Sequence, residues 1–361
     1  MGGCLAQKEG IRLREKAPYV DVVFGTHQYP NISNLLEQAD AGGVCSTALG
    51  GLDISGIPCY RFEHFRAWVT ITHGCDNFCS YCIVPYVRGR EVSRSVHDVA
   101  EEVGLHVDAG VKEINLLGQN VNSYRRKEEG KSRFADLLRL LGRLYPEPWI
   151  RFTTSHPRDF DLDIVRSIVD TGNVCEHVHL PLQAGSDRIL TAMNRGYSRA
   201  EYHEKAAELR NRVPGVSLTT DLMVGFPGES EEDFEATMEM VESCAFDAAF
   251  TFLYNRRDMA SAASLPDEVP ESVKHERLQR LMEATRKLTR ESLRAEIGSE
   301  KTVLVHGYSR RDKHRWAART RSNKLVHFEC NDIDLTATFA RVRIIGAGNW
   351  SLLGELEEII A

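Results

Sequence analysis

The chain has 361 residues, 42% of them apolar and 27% charged, with a formal net charge of −7 at pH 7. Such a chain is long enough for about two or three folded domains, and its composition excludes a disordered or fibrous protein. No uncharged apolar run approaches the roughly eighteen residues of a membrane span, and the start "MGGCLAQKEG" lacks the pattern of a secretory signal, so we expect a cytoplasmic protein without a membrane partner.

Residues 1–58 contain one strand-like run, "YVDVVFG" (19–25), followed by one helix-like run, "NISNLLEQAD" (31–40). A single β/α pair buries too little apolar surface to form an independent core. We therefore expect this segment to be part of a larger N-terminal α/β domain.

Residues 61–293 alternate short apolar or β-branched runs with polar, amphipathic segments. The apolar runs are "AWVTIT" (67–72), "EINLLG" (113–118), "WIRFTTS" (149–155), "HVHLPLQ" (177–183), "VSLTTDLMVGF" (216–226) and "AAFTFLY" (248–254). Between them lie helix-like stretches at 95–109, 133–144, 161–170, 199–212 and 231–243. The alternation predicts an α/β fold of six β/α units, a partial (β/α)6 barrel with its chemistry at the carboxyl ends of the strands.

A long helix is predicted at 270–296, which starts with Pro and contains no internal Gly or Pro. Residues 296–359 then show short strand-like runs with no helix between them, which predicts a small all-β barrel. Residues 301–324 hold eight Lys or Arg and only one acidic residue, Asp312. The acidic chain therefore contains a basic module.

Three cysteines, Cys75, Cys79 and Cys82, follow the first apolar run with C-x3-C-x2-C spacing. A disulfide framework is not expected in a chain without an export signal. Packed free thiols, or a zinc site with a distant fourth ligand, are alternatives, but zinc favours a second C-x2-C or a His pair nearby, which is missing. A four-iron cluster on three thiolates leaves one iron open for a substrate or cofactor, and this interpretation is preferred.

This stretch resembles the radical S-adenosylmethionine enzymes, whose C-x3-C-x-aromatic-C motif puts Tyr81 in the aromatic position. The resemblance implies that the three cysteines ligate a [4Fe-4S] cluster and are the catalytic residues. In that family the open iron chelates S-adenosylmethionine. An electron, from a donor such as flavodoxin or ferredoxin, then breaks a carbon–sulfur bond and gives a 5′-deoxyadenosyl radical.

Two further segments, "LLGQN" (116–120) and "MVGFPGE" (223–229), fall where that family binds its cofactor. Each Gly after a strand is also compatible with an ordinary turn. By this resemblance, the residues expected to bind S-adenosylmethionine are Tyr81, Gly118, Gln119, Asn120, Gln183, Gly225 and Pro227.

Longer motifs narrow the resemblance to the methylthiotransferases, and the form "GQNVNSY" narrows it to the branch that modifies tRNA. The motifs are "GCDNFCSYCIVPYVRGREVSR", "LLGQNVNSY", "RFTTSHPRDF", "HLPLQAGSDRIL" and "MNRGYSR". They imply insertion of a methylthio group at C2 of N6-isopentenyladenosine next to the anticodon, with the tRNA anticodon stem-loop as partner. Threonylcarbamoyladenosine in tRNA and a ribosomal-protein aspartate are alternative targets, because relatives acting on them differ mainly after the second strand.

Methylthiotransferases carry a second, auxiliary [4Fe-4S] cluster on three cysteines of an N-terminal domain. "GGCLAQ" (2–7) resembles the segment with the last of these, so Cys4 is expected to be an auxiliary ligand. The other two have no counterpart, which implies an N-terminally truncated chain or a lost second cluster. The remaining cysteines, Cys45, Cys59, Cys175, Cys244 and Cys330, are expected to be small buried apolar residues.

The C-terminal unit resembles the TRAM domain, an RNA-binding module of the same family. The expected RNA-binding residues are Arg310, Arg311, Lys313, Arg315, Arg319 and Lys324, interleaved with the aromatic residues Tyr308, Trp316 and Phe328. Alternatively, Trp316 and Phe328 form the barrel core and the charges form a solvated rim. We expect a monomer. A catalytically silent RNA-binding protein with zinc or a damaged cluster is the rival interpretation for the whole chain.

Overall fold

The computed structural model describes residues 1–40, 42–52, 54, 61, 63–124, 134–266, 269–330 and 333–360. The N-terminal segment consists of three helices and two short parallel strands. They are α1 (Cys4–Glu9), α2 (Ile11–Lys16), β1 (Val22–Phe24), α3 (Ile32–Ala39) and β2 (Val44–Ser46). The sequence predicted only β1 and α3. The three-residue strand β2 is half-buried throughout and carries no periodic signal, so it escaped the pattern.

The central region contains the six expected parallel strands and a small hairpin. Its strands are β3 (Arg66–Thr70), β4 (Thr72–His73), β5 (Val92–Ser93), β6 (Glu113–Leu117), β7 (Trp149–Phe152), β8 (His177–His179), β9 (Ser217–Val224) and β10 (Ala248–Leu253). Its helices are α4 (Val84–Arg88), α5 (Val96–Asp108), α6 (Phe134–Leu144), α7 (Leu162–Asp170), α8 (Asp187–Ala192), α9 (Arg199–Arg212), α10 (Glu231–Cys244) and α11 (Glu271–Arg294). The sequence missed α4 and α8, which are one or two turns long.

The six strands form two three-stranded parallel sheets in chain order, β3-β6-β7 and β8-β9-β10. A parallel bridge between Ile150 and Val174 links the two halves. No pairing between the outer strands β3 and β10 occurs in the described ranges, so the barrel is open on one side. Ile114 and Leu116 of β6 belong to the main apolar core, whereas Glu113 and Asn115 alternate with them on the other face. The expected partial (β/α)6 fold is confirmed.

The C-terminal region is a closed five-stranded antiparallel barrel in the order β11-β12-β13-β15-β14, apart from one parallel contact between β13 and β15. Its strands are β11 (Glu300–Tyr308), β12 (Arg315–Thr320), β13 (Leu325–Glu329), β14 (Phe339–Ala347) and β15 (Leu352–Ile360). Trp316 and Phe328 are fully buried in its core. The sequence missed β12, because this strand lies within the basic stretch that was interpreted as an RNA surface.

A buried ion network holds the two barrels together. Arg151 donates from Nε to Glu113 at 2.6 Å and from its terminal nitrogens to the carbonyl oxygens of Thr320 and Arg321, at 2.8 and 2.7 Å. Arg66 Nε lies 2.9 Å from the same carboxylate. Burial raises the pKa of Glu113, but the two arginines outweigh it and hold that pKa below its ordinary value. The C-terminal barrel is thereby docked near the amino ends of β6 and β7.

None of the helices in the described part of the chain is both long and apolar enough to cross a membrane. Of the cysteines expected to be buried, Cys175 and Cys244 are buried, and Cys45 and Cys330 are only partly so. Cys59 lies outside the described residues.

Candidate active site

The three motif cysteines lie in the loop between β4 and β5, just beyond the carboxyl end of β3. The amide of Cys75 donates to the carbonyl oxygen of Gly89 at 3.2 Å, and the amide of Cys82 donates to that of Cys79 at 3.0 Å. Gly74 precedes the loop with φ +79, and a Cβ at this position would lie 2.2 Å from the carbonyl oxygen of Arg90. Only glycine fits here, so the start of the loop is fixed by its backbone.

The loop places the three thiols close enough to affect one another's ionisation. Burial, above all, raises the pKa of the Cys75 thiol to about 12; the N–H of Asn77 opposes this rise, and Cys79 and Cys82 add to it. Burial likewise raises the pKa of Cys82. Clustered, desolvated thiols disfavour their own ionisation, which a bound cation reverses.

The donor atoms of this loop show which group it fits. Within the described residues, no three Cys, His, Asp or Glu side chains are already arranged to hold a metal ion. The chemistry nevertheless fits an iron–sulfur cluster, because three thiols share one short loop with C-x3-C-x2-C spacing.

Residues that follow β8 hold this loop against the barrel. Ser80 donates from Oγ to the carbonyl oxygen of Ala192 at 2.8 Å, and its amide donates to that of Met193 at 2.9 Å. Asn194, at φ +56, donates from Nδ2 to the carbonyl oxygen of Phe78 at 3.0 Å. The "MNRGYSR" motif, given no role by sequence reasoning, therefore anchors the cysteine loop.

The Cys79 sulfur has two side-chain neighbours that carry N–H groups. Arg195 Nη1 lies 3.2 Å from it and His156 Nε2 lies 3.8 Å away. The same Arg195 nitrogen donates to the hydroxyl of Tyr81 at 3.2 Å, so the aromatic residue of the motif is bound within the site. Neither Arg195 nor His156 was predicted, because each lies far from Cys79 in sequence.

The "LLGQNVNSY" segment positions other loops rather than only lining a cofactor site. The Gln119 Oε1 atom accepts from the amide of Gly74 at 2.6 Å. Asn122 donates to the carbonyl oxygen of His156 and accepts from its amide, at 3.0 and 2.9 Å. Asn120 donates to Asp159 at 2.7 Å, but its Oδ1 atom is buried without a hydrogen-bond partner.

In the part of the chain that the structure describes, four buried polar atoms without a hydrogen-bond partner lie at or just beyond the carboxyl ends of β3, β6 and β7. They are Thr72 Oγ1, His73 Nε2, Asn120 Oδ1 and Ser155 Oγ. Orphaned buried polar atoms are costly unless a ligand or water satisfies them. The backbone of Gly118 packs directly against this group, since a Cβ there would lie 2.0 Å from Thr72 Oγ1. This arrangement fits a polar cofactor such as S-adenosylmethionine.

The other residues expected to bind this cofactor have structural partners. Gln183, at φ +71, joins β8 to β9 through backbone hydrogen bonds with Asp221 and Met223. Gly225, at φ +75, ends β9 against Lys274, whose Cγ atom lies 2.6 Å from the position of a Cβ. Pro227 is buried in the same turn. Their contact with a cofactor stays a prediction.

Cys4 faces the cysteine loop from the N-terminal side. Helix α1, which begins at Cys4, packs against α4, and Arg88 donates from Nε to the Cys4 sulfur at 3.3 Å. Arg88, His73 and Gln119 also line a cavity of about 770 Å³ between the N-terminal segment and the barrel. Burial, Arg88 and His27 lower the pKa of His73 to about 4, so its imidazole is neutral at pH 7.

The basic residues of the C-terminal barrel fall into two groups. Arg310, Arg311 and Lys313 are exposed in the turn between β11 and β12, next to Tyr308, which stacks on Trp316 at 4.1 Å. Trp316 and Phe328 are core residues, as the alternative interpretation stated.

The structure corrects the expectation for Lys324, because Glu296 and Asp247 bind its ammonium group at 2.7 and 3.4 Å. Arg315 is partly exposed and lies 3.2 Å from Glu329. Arg319 lies apart from the exposed turn and lines an interdomain cavity of about 360 Å³ with Phe250 and Trp350. Contact of Arg319 with RNA stays a prediction.

Comparison with known proteins agrees with this geometry. Residues 69–241 match the Radical SAM superfamily model. The fold and the cysteine loop therefore define a radical S-adenosylmethionine protein.

The chain is 46% identical over 361 residues to the tRNA-2-methylthio-N(6)-dimethylallyladenosine synthase of Moorella thermoacetica, covering 99% of this chain and 81% of that protein. It is 44% identical to the synthase of Carboxydothermus hydrogenoformans, covering 99% and 82%. The chain belongs to the tRNA-2-methylthio-N(6)-dimethylallyladenosine synthase family. Among solved structures, coproporphyrinogen III oxidase of Escherichia coli gives a TM-score of 0.47 at 15% identity, covering 78% of this chain and 67% of that one.

Proposed function

We propose that this chain is a tRNA methylthiotransferase that places a methylthio group on C2 of N6-isopentenyladenosine beside the anticodon. The observation that carries the proposal is the anchored cysteine loop at the carboxyl end of β3, in a chain that is 46% identical to a synthase named for this modification. The tRNA anticodon stem-loop is the proposed partner. The reducing cytosol, where thiols stay free, is the proposed location.

Cys75, Cys79 and Cys82 would hold a [4Fe-4S] cluster, whose open iron would bind S-adenosylmethionine. The bound cluster supplies the electron that cleaves this cofactor, and a flavodoxin or ferredoxin is the proposed source of that electron. The protein's own contribution is to bury Cys79 and partly bury the other two thiols, hold their loop by Ser80 and Asn194, and offer unpaired polar atoms at the strand ends.

The C-terminal barrel is proposed to bind the RNA. The exposed turn with Arg310, Arg311 and Lys313 supplies cations for phosphates, and Tyr308 supplies an aromatic face for an unpaired base. Trp350 is 62% exposed and Phe250 is 60% exposed, and both line the interdomain cavity. These surfaces suit a single-stranded loop better than a duplex, because stacking requires unpaired bases.

Cys4 is proposed as a ligand of the auxiliary cluster in this reaction. Its sulfur lies beside Arg88, a residue of the cavity next to the cysteine loop, so a second sulfur-bearing group held there would be adjacent to the radical site. Reconstitution under anaerobic conditions should give about four irons per chain for one cluster and about eight for two. In a Cys4→Ala protein, we expect about four irons and retained reductive cleavage of S-adenosylmethionine.

The proposed activity is tested by mass spectrometry of tRNA nucleosides from a strain that lacks the methylthiotransferase. We expect 2-methylthio-N6-isopentenyladenosine to return when this chain is supplied and not when its Cys79→Ala variant is supplied. The Cys244→Ala variant is the matched control, since Cys244 is buried on α10. A methylthio group on threonylcarbamoyladenosine instead, or no change in any nucleoside, would contradict the proposal.

A further inference from the structure

The three motif cysteines differ in the hydrogen bonds that their sulfurs receive. The sulfur of Cys82 accepts from the backbone amide of Val84 at 3.4 Å, and that of Cys75 accepts from the backbone of Asn77. Cys79 instead faces two side chains, Arg195 and His156. Cys79 is therefore the cysteine of the motif whose sulfur environment can be changed by substituting neighbouring side chains.

Arg195 is a buried cation without a carboxylate partner in the described residues. It is 3% exposed, and it donates to the carbonyl oxygen of Pro181 at 2.8 Å and to the hydroxyls of Tyr197 and Tyr81 at 3.0 and 3.2 Å. A buried guanidinium is costly unless an anion compensates its charge. The Cys79 sulfur, 3.2 Å from Arg195 Nη1, becomes an anion when it binds iron and can compensate this charge.

His156 presents an N–H to the same sulfur. Its Nδ1 atom accepts a hydrogen bond from the amide of Arg158 at 3.2 Å. Because Nδ1 is an acceptor, it carries no proton, and the N–H of the ring lies on Nε2, which faces the sulfur at 3.8 Å. The Arg158 amide at Nδ1 holds the ring and Asn122 holds the backbone of His156, so the Nε2–H is directed towards Cys79.

We propose that Arg195 and His156 are positioning residues that raise the reduction potential of the radical cluster through the sulfur of Cys79. Reduction adds one negative charge to a cluster that is already anionic with three thiolates. A fixed cation and N–H donors at a ligand sulfur stabilise this added charge, and hydrogen bonds to sulfur are a recognised determinant of cluster potential. The inference rests on the cluster that the proposed function requires.

The test is a redox titration of the reconstituted protein, followed by the electron paramagnetic resonance signal of the reduced cluster, with iron counted in each sample. We expect the midpoint potential to fall in the order wild type, Arg195→Lys, Arg195→Met. His156→Leu should shift the potential in the same direction by a smaller amount. Tyr197→Phe is the matched control, because it removes a hydroxyl that contacts Arg195 but leaves the charge beside Cys79 in place, and its potential should equal that of the wild type.

Equal potentials in wild type, Arg195→Lys, Arg195→Met and His156→Leu, with the same iron content in all four proteins, would overturn the inference. If Arg195→Met binds no iron while Arg195→Lys and His156→Leu keep the wild-type potential, Arg195 has only a structural role and the inference also fails. A wild-type protein without any cluster would instead contradict the proposed function. The two failures are therefore distinguishable.

Discussion

Replacing Glu113 with Gln should destabilise the protein strongly, because this carboxylate compensates the buried Arg151 and the partly buried Arg66. Glu113 is 2% exposed, with Arg151 Nε at 2.6 Å and Arg66 Nε at 2.9 Å. The amide in Glu113→Gln is neutral, and its NH2 group would face guanidinium N–H donors. Removing one partner of a buried ion pair costs about 3–5 kcal/mol, so we expect a loss of that size in the free energy of unfolding at pH 7.

The assay is guanidinium unfolding followed by circular dichroism, with variant and wild type compared under the same conditions. The matched control is Glu358→Gln, since Glu358 forms an exposed pair with Arg341 at 3.0 Å on the C-terminal barrel. Exposed pairs contribute at most about 1 kcal/mol. A loss in Glu113→Gln no larger than that in Glu358→Gln would refute the reasoning.

The pH dependence gives a second check on Glu113. Its pKa in the folded protein is below the ordinary value of 4.5, so its carboxylate contributes stability that is present above that value and is lost as pH falls through the folded pKa. The stability difference between wild type and Glu113→Gln should be constant from pH 7 to about pH 5 and should shrink only in more acidic solution. A stability difference that already shrinks between pH 7 and about pH 5 would contradict this assignment.

Two further predictions concern the strand end and the RNA surface. Gly225→Ala should cost about 1–3 kcal/mol in unfolding experiments, because it combines a φ of +75 with a close approach to Lys274; Gly215→Ala, at φ +71 with open space around it, should cost less. Equal losses would show that the packing against Lys274 is unimportant. Replacing the three exposed cations of the β11–β12 turn with Ala should weaken binding of an anticodon stem-loop. The slope of the logarithm of the binding constant against the logarithm of the salt concentration, measured by fluorescence anisotropy, should decrease by the equivalent of about two phosphate contacts. Arg341→Ala, on β14, is the control, and an equal change there would contradict a localised RNA surface. The three cations of the turn are Arg310, Arg311 and Lys313.

Local spacing in the sequence was sufficient to predict the fold class and the centre of the site. The six strands, five of the barrel helices and α11 were all predicted, because apolar and β-branched runs mark the strands and amphipathic stretches mark the helices between them. The three cysteines could be proposed as cluster ligands from the sequence alone, because metal ligands that come from one loop lie close together in sequence. The short elements β2 and α8 were missed, because a few residues cannot show a period.

The tertiary structure alone determined which side chains surround those cysteines. Arg195 and His156 meet at Cys79 although they lie 116 and 77 residues away along the chain. Lys324 belongs to the basic stretch that was expected to bind RNA, but its ammonium group is bound by Glu296 and Asp247. Packing of the C-terminal barrel against the rest of the chain brings these carboxylates to it. A sequence shows which groups are available and how neighbours in the chain alternate. The partners of a buried charge are chosen by packing between distant segments, and these contacts leave no local pattern in the sequence.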